Sequence, residues 1–162
     1  MFNVVLFSPE IPPNTGNIIR LCVNTGARLH IIRPISFDLE SKKLKRASLD
    51  HFDKIKIRVY DSYDVFFNSQ IQFPRIFCIT KFGKTRYNEV EFAENDFFLF
   101  GNETSGLPPN IMNRFENRRK LYLPMQKLSR SLNLSNAVSI LIYEAWKQNN
   151  FKGEGVMLHP QQ

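Results

Sequence analysis

Phe97-Phe98-Leu99-Phe100-Gly101-Asn102-Glu103-Thr104-Ser105-Gly106-Leu107-Pro108-Pro109 is the stretch on which the reading of the fold turns. Four apolar residues in succession, bounded at once by glycine, suit a short strand covered on both faces, as in a parallel sheet. The polar run, second glycine and paired prolines that follow describe a shaped loop at the strand's C-terminal end. In open α/β sheets that edge is where ligands bind. Glu103 is the carboxylate placed there; the competing reading makes it a cap for the helix opening near Pro109.

Outward from this stretch the same alternation repeats. Strands are expected at Phe2–Phe7, Leu29–Ile32, Ile55–Tyr60, Ile76–Thr80 and Leu121–Leu123, each a short apolar or alternating run between breakers. Helices are expected at Ile18–Asn24, Ser41–Leu49, Tyr63–Asn68, Pro109–Phe115 and Ser135–Asn149. In the last, Val138, Leu141, Ile142, Ala145 and Trp146 form an i, i+3, i+4 stripe. Strand alternating with helix implies α/β: a parallel sheet with helices on both faces. Residues 1–152 read as one domain, with 153–162 a loosely held C-terminal tail.

The 162 residues include 22 Lys plus Arg against 15 Asp plus Glu, a net charge of +7 that favours a polyanionic partner. Lys42, Lys43, Lys45 and Arg46 form one basic run, Arg114, Arg118, Arg119 and Lys120 another, with Lys127 and Arg130 close behind. The run Lys42–Arg46 either grips a nucleic-acid backbone or merely solvates a helix. Cys22 and Cys78 lie in apolar runs without C-x-x-C spacing, as expected of buried thiols in a reducing compartment. The N-terminal residues lack the features of a signal peptide, and no apolar run nears the ~20 residues that span a bilayer. The expected location is cytoplasmic, with no membrane partner.

Several chemistries find no support. There is no G-x-G-x-x-G after a strand, no Walker loop and no G-x-S-x-G elbow. His30, His51 and His159 show no zinc-ligand spacing, and His30 reads as a satisfied structural histidine. Two further segments attract notice. Asn14-Thr15-Gly16-Asn17 runs into Ile18-Ile19-Arg20, where a loop opening a helix presents free N–H groups to an anion. An ordinary N-cap with a surface arginine explains it equally well. Leu123-Pro124-Met125 leads through a linker to Arg130-Ser131-Leu132-Asn133-Leu134-Ser135-Asn136, a ligand-facing turn in which Ser135 or Asn136 is also a candidate cap.

Together the segments Ile11–Arg20, Phe100–Pro108 and Ser129–Val138 resemble, in order and spacing, the three motifs of the SPOUT superfamily of RNA methyltransferases. They look most like its TrmL/YibK branch of small transfer RNA 2′-O-methyltransferases, and the resemblance runs from Met1 to about Lys152. It implies a C-terminal trefoil knot, a homodimer, and S-adenosyl-L-methionine as methyl donor, released as S-adenosyl-L-homocysteine. Carried across position by position, the donor-binding residues are Ile79, Gly101, Leu123, Ser131 and Leu132. The catalytic, RNA-facing residues are Asn14, Arg20, Glu103 and Asn133, with no metal. Tyr143 and Trp146 either face the dimer interface or pack in the core. One departure is the linker Gln126-Lys127-Leu128, which lacks the expected proline and offers Lys127 to RNA.

The implied reaction is displacement at the sulfonium methyl by a ribose 2′-oxygen. A guanidinium is a poor base, so the first-motif arginine is read as a fixed charge stabilising the developing alkoxide and clamping the neighbouring phosphate. The implied substrate is the wobble ribose of leucine tRNAs. The alternatives are the same chemistry on another RNA such as rRNA, or a non-catalytic RNA-binding protein.

Overall fold

Among the described residues seven strands, every neighbouring pair parallel, make one sheet of order β3-β2-β1-β6-β4-β7-β5. They are β1 (Asn3–Phe7), β2 (Arg28–Ile32), β3 (Arg58–Tyr60), β4 (Ile76–Ile79), β5 (Thr85–Arg86), β6 (Phe97–Phe100) and β7 (Lys120–Tyr122). The helices are α1 (Pro12–Thr25), α2 (Lys42–Ser48), α3 (Tyr63–Asn68), α4 (Pro109–Met112) and α5 (Leu134–Gln148). The computed structural model describes residues 1–48, 55–70, 74–129 and 131–155, save the side chains of Lys43 and Lys45. His51, Arg130 and His159 therefore lie outside the described residues.

Alternation along the central strands divides the apolar residues between two cores. Val4, Leu6, Phe77, Phe98 and Phe100 face α1, α2 and α5, while Val5, Ile76, Cys78, Phe97 and Leu99 face α3 and α4. The expected parallel sheet with helices on both faces is what the chain builds. Burying a side chain such as Leu6 or Phe98 completely is worth roughly 1.5–3 kcal/mol, so the continuous apolar runs are the main source of cohesion. Helix α1 crosses α2 closely at Gly16, where any Cβ would lie 2.4 Å from the Cβ of Ala47. Only glycine permits that approach. Leu44 of α2 is fully buried, whereas Lys42 and Arg46 of its basic run are exposed.

Several boundaries differ from expectation. Helix α1 begins at Pro12, not Ile18, so Asn14-Thr15-Gly16-Asn17 is helix rather than loop. Pro12 and Pro13 lack N–H groups that the first turn leaves unpaired in any case, and their fixed φ favours the start. β3 is confined to Arg58–Tyr60, α4 stops at Met112, and the two-residue strand β5 was too short to register as a pattern. Asn133 caps α5, with Oδ1 accepting from the N–H groups of Ser135 and Asn136 at 2.9 and 3.3 Å. Neither Ser135 nor Asn136 is the cap. Trp146 is half-buried. Its indole donates to the Lys152 carbonyl at 3.0 Å and its ring packs on Phe151, which pins residues 151–152 against α5. Tyr143 stays exposed. No described helix is long and apolar enough to cross a membrane.

Both cysteines are free and buried, and burial pushes each thiol up to about 12. His30 is buried between Tyr60, Phe66 and Phe97, with ring nitrogens 3.0 Å from the Tyr60 hydroxyl and 3.3 Å from Asn3 Oδ1. Desolvation, helped by Arg58 and Arg28, lowers its pKa to about 4. The folded state holds this imidazole neutral while the unfolded chain takes up a proton below pH ~6.5. Stability is therefore expected to fall as pH drops from about 6.5 towards 4, by up to about 3 kcal/mol from this group. Urea unfolding across that window, compared with His30→Gln, reads the effect. An equally steep loss in the variant would place its origin elsewhere.

Candidate active site

The C-terminal ends of β4, β6 and β7 open into one cleft of about 420 Å³, closed on its other side by the entry to α5. That volume lies within the ~300–1,000 Å³ typical of small-molecule sites. Ile79 ends β4, Gly101 follows β6, Leu123 follows β7, and Ser131 and Leu132 precede α5. All five line the cleft, as do Asn14, Glu103 and Asn133. Its walls mix apolar side chains with main-chain groups, as suits a flat aromatic ligand whose polar edge is read by backbone.

Loop shape depends on two close approaches. A Cβ on Gly101 would lie 2.1 Å from the carbonyl carbon of Gly106, so the loop folds back on itself only because residue 101 is glycine. Gly106 adopts φ +73°, the left-handed region, and completes the reversal. Asn102 fixes the turn, its Oδ1 accepting from Ser105 N–H at 2.7 Å and Gly106 N–H at 3.0 Å.

The loop then holds α1. One carboxylate oxygen of Glu103 accepts from Glu10 N–H at 2.9 Å, and the other from Ile11 N–H at 3.2 Å and Asn14 Nδ2 at 3.0 Å. Asn14 Oδ1 in turn accepts from Asn133 Nδ2 at 2.8 Å. The α1 N-cap, Ile11, has no capping side chain of its own, and Glu103 supplies the acceptor instead. The anion site was expected at Asn14–Asn17, which lie inside α1; the N–H groups of Glu10 and Ile11 ahead of the actual helix start are taken by a carboxylate of the same chain. Glu103 does not cap α4, whose N-cap Pro108 has no side-chain cap bond. Thr104 adds a hydroxyl donor to the Glu10 carboxylate. Asn14, Glu103 and Asn133 are thus one hydrogen-bonded chain joining all three segments.

Arg20 is not brought to the cleft. It lies on the exposed side of α1 with Pro13, Asn17 and Asn24. Because α1 starts at Pro12, helical spacing rotates Arg20 away from Asn14. Of the second basic run, Arg114 pairs with Asp64, holding that carboxyl below the usual carboxylate range, and also lies over the Tyr63 ring. Arg118 pairs with Glu116. Lys127 is exposed. Sequence reasoning missed Thr80, Lys81, Phe82 and Met112, which also line the cleft. Their position directly after β4, or in the helix after the Glu103 loop, was the available signal. No group of three or more described His, Cys, Asp or Glu residues is arranged to hold a metal ion.

A family model described as the SpoU rRNA Methylase family matches residues 1–143. The chain belongs to that family. Among SpoU relatives, the tRNA (cytidine(34)-2′-O)-methyltransferase of Burkholderia ambifaria is 48% identical over 94% of this chain and 99% of its own. A solved structure described as giving insights into 2-OH methylation of C/U34 on tRNA superposes with a TM-score of 0.89 and 40% identity. It covers 94% of this chain and 98% of that one. An AdoMet-bound rRNA methyltransferase from Sinorhizobium meliloti reaches a TM-score of 0.81 at 25% identity, covering 90% of this chain and 56% of that one. The parallel sheet is therefore the SpoU α/β fold.

The Glu103 junction makes a direct expectation. Glu103→Gln replaces an acceptor-only group with one whose NH2 must face a backbone N–H or Asn14 Nδ2. Unfolding free energy is expected to fall by about 1–3 kcal/mol, read from urea titration. An unchanged midpoint and slope would mean the carboxylate does not hold α1 to the loop.

Proposed function

We propose that this chain is an S-adenosylmethionine-dependent RNA 2′-O-methyltransferase whose substrate is the ribose of nucleotide 34, the wobble position, in tRNA, with leucine tRNAs as the substrates. The observation that carries the reading is the cleft itself, where three segments distant in sequence meet around a space suited to one small ligand. The tRNA target rather than rRNA is favoured by the 48% identity to the tRNA enzyme, against 25% to the rRNA enzyme.

When bound, S-adenosylmethionine supplies an electrophilic methyl group on a sulfonium centre. The residues at Ile79, Gly101, Leu123, Ser131 and Leu132 fit such a donor, lining one cleft with apolar side chains beside a glycine and a serine. Asn14, Glu103 and Asn133 fix the cleft wall on the RNA side, their polar atoms largely engaged with one another. Arg20 is assigned a fixed positive charge for the 2′-oxygen and its neighbouring phosphate, not a base. From the exposed side of α1 it serves that role for RNA laid across the helix, or for the cleft of a second copy. A homodimer is part of this reading. Ile140 and Tyr143, 39% and 47% exposed on one side of α5, supply apolar surface for it.

Incubation with S-adenosylmethionine and unmodified tRNA, followed by nuclease digestion and mass spectrometry, is expected to find one ribose methyl at nucleotide 34. Methylation of a base, or at another position, would refute the assignment. Arg20→Lys is expected to keep donor affinity within about twofold by calorimetry while turnover falls by roughly 10²-fold or more. Near-normal turnover would remove Arg20 from the chemistry.

A further inference from the structure

Phe82 has no obvious structural reason to be where it is. Among the described phenylalanines it alone is largely exposed, at 64%, while the others are buried or half-buried. Leaving a phenyl ring in water forfeits the burial that the remaining rings gain. Nor does the ring sit on a slack loop. Phe82 N–H donates to Thr80 Oγ1 at 3.2 Å, and Gly83 N–H to the Thr80 carbonyl at 3.1 Å. Thr80 N–H is bound to Leu121 O at 2.9 Å, and Lys84 N–H to Lys120 O at 3.1 Å. A Cβ on Gly83 would fall 2.6 Å from the Leu121 carbonyl carbon, so the turn lies hard against β7. A rigid turn thus presents an aromatic face at the rim of the cleft, which Phe82 and Lys81 both line.

Charge indicates what that face meets. The Lys81 ammonium lies 5.2 Å from the Phe82 ring centre, and Lys84 is exposed just beyond. An aromatic ring flanked by cations is the general pattern for unpaired nucleotides, with the ring stacking on a base and the cations taking phosphates. Nucleotides in a loop have free base faces, whereas paired ones do not.

We propose that Phe82 is a stacking platform for an unpaired RNA base at the mouth of the cleft, with Lys81 contacting the adjoining phosphate. This rests on the methyltransferase reading, since it is that reaction which brings RNA to this rim. The stack supplies affinity for a single-stranded loop without reading base identity, because every base has a π-face. Phe82 is therefore a substrate-positioning residue that favours loop over duplex.

The test uses the full chain with an unmodified anticodon stem-loop RNA, measuring binding in the presence of S-adenosylhomocysteine and, separately, methyl transfer. Phe82→Ala and Phe82→Leu are expected to weaken RNA binding roughly 5- to 150-fold, while Phe82→Tyr and Phe82→Trp stay within about threefold of the parent. Donor affinity is expected to remain within twofold in all four. Lys81→Ala is expected to reduce the slope of log affinity against log salt by about 1. Val65→Ala, at an exposed apolar position on α3 outside the cleft lining, serves as the control and should bind RNA normally. Normal RNA binding by Phe82→Leu would overturn the proposal. So would parallel loss of donor binding in Phe82→Ala, which would assign the ring to the donor. The binding arm needs no turnover, so an inactive parent protein would refute the methyltransferase reading without deciding the stacking.

Discussion

A single carboxylate ties this molecule's working parts together. Glu103 accepts from two backbone N–H groups just ahead of α1 and from Asn14 within it, and Asn14 is held in turn by Asn133 at the head of α5. Three chain segments separated by as many as 119 residues meet through four hydrogen bonds. Bonds to an ionised acceptor are stronger than neutral ones, and helix dipole and charge act in the same sense here. Residues that a motif reading would place in contact with substrate are thus chiefly occupied with one another. Those bonds fix the relative placement of the segments that line the cleft.

The remainder of the fold delivers those segments to one place. A parallel sheet puts all strand C-termini along a single edge, and the loops after β4, β6 and β7 therefore converge without further instruction. Glycine at position 101 lets the β6 loop fold over itself, and glycine at 83 lets the β4 turn lie against β7. The apolar strands beneath provide the rigidity, since each is packed on both sides.

Much of this was legible in the residues. The run Phe97–Phe100 announced a doubly covered strand, and glycine beside polar residues marked the edge where the cleft opens. The stripe from Val138 to Trp146 announced α5, although Trp146 itself turned to meet Phe151 once the chain reversed at Asn150. What stayed hidden was non-local. The start of α1 could not be read because its acceptor lies on a residue more than ninety positions away, while the local signal at Ile11 is blank. That error carried over to Arg20, whose outward direction follows from helical periodicity only when the helix is begun at Pro12. β5 escaped notice because two residues hold no pattern; they pair with β7, where Gly83 admits the close backbone approach.

The strand order also has a consequence for biogenesis. β6 lies between β1 and β4, and β7 between β4 and β5, so segments made late are inserted between segments made early. Until residues near 100 have left the ribosome, β1 offers an open, strongly apolar edge to any neighbouring chain. The first half cannot become a finished object, and Asn133 arrives only near the end. A chain ending ahead of β6 lacks the strand that covers this edge of β1, the Glu103 acceptor and the Asn133 link to Asn14 alike.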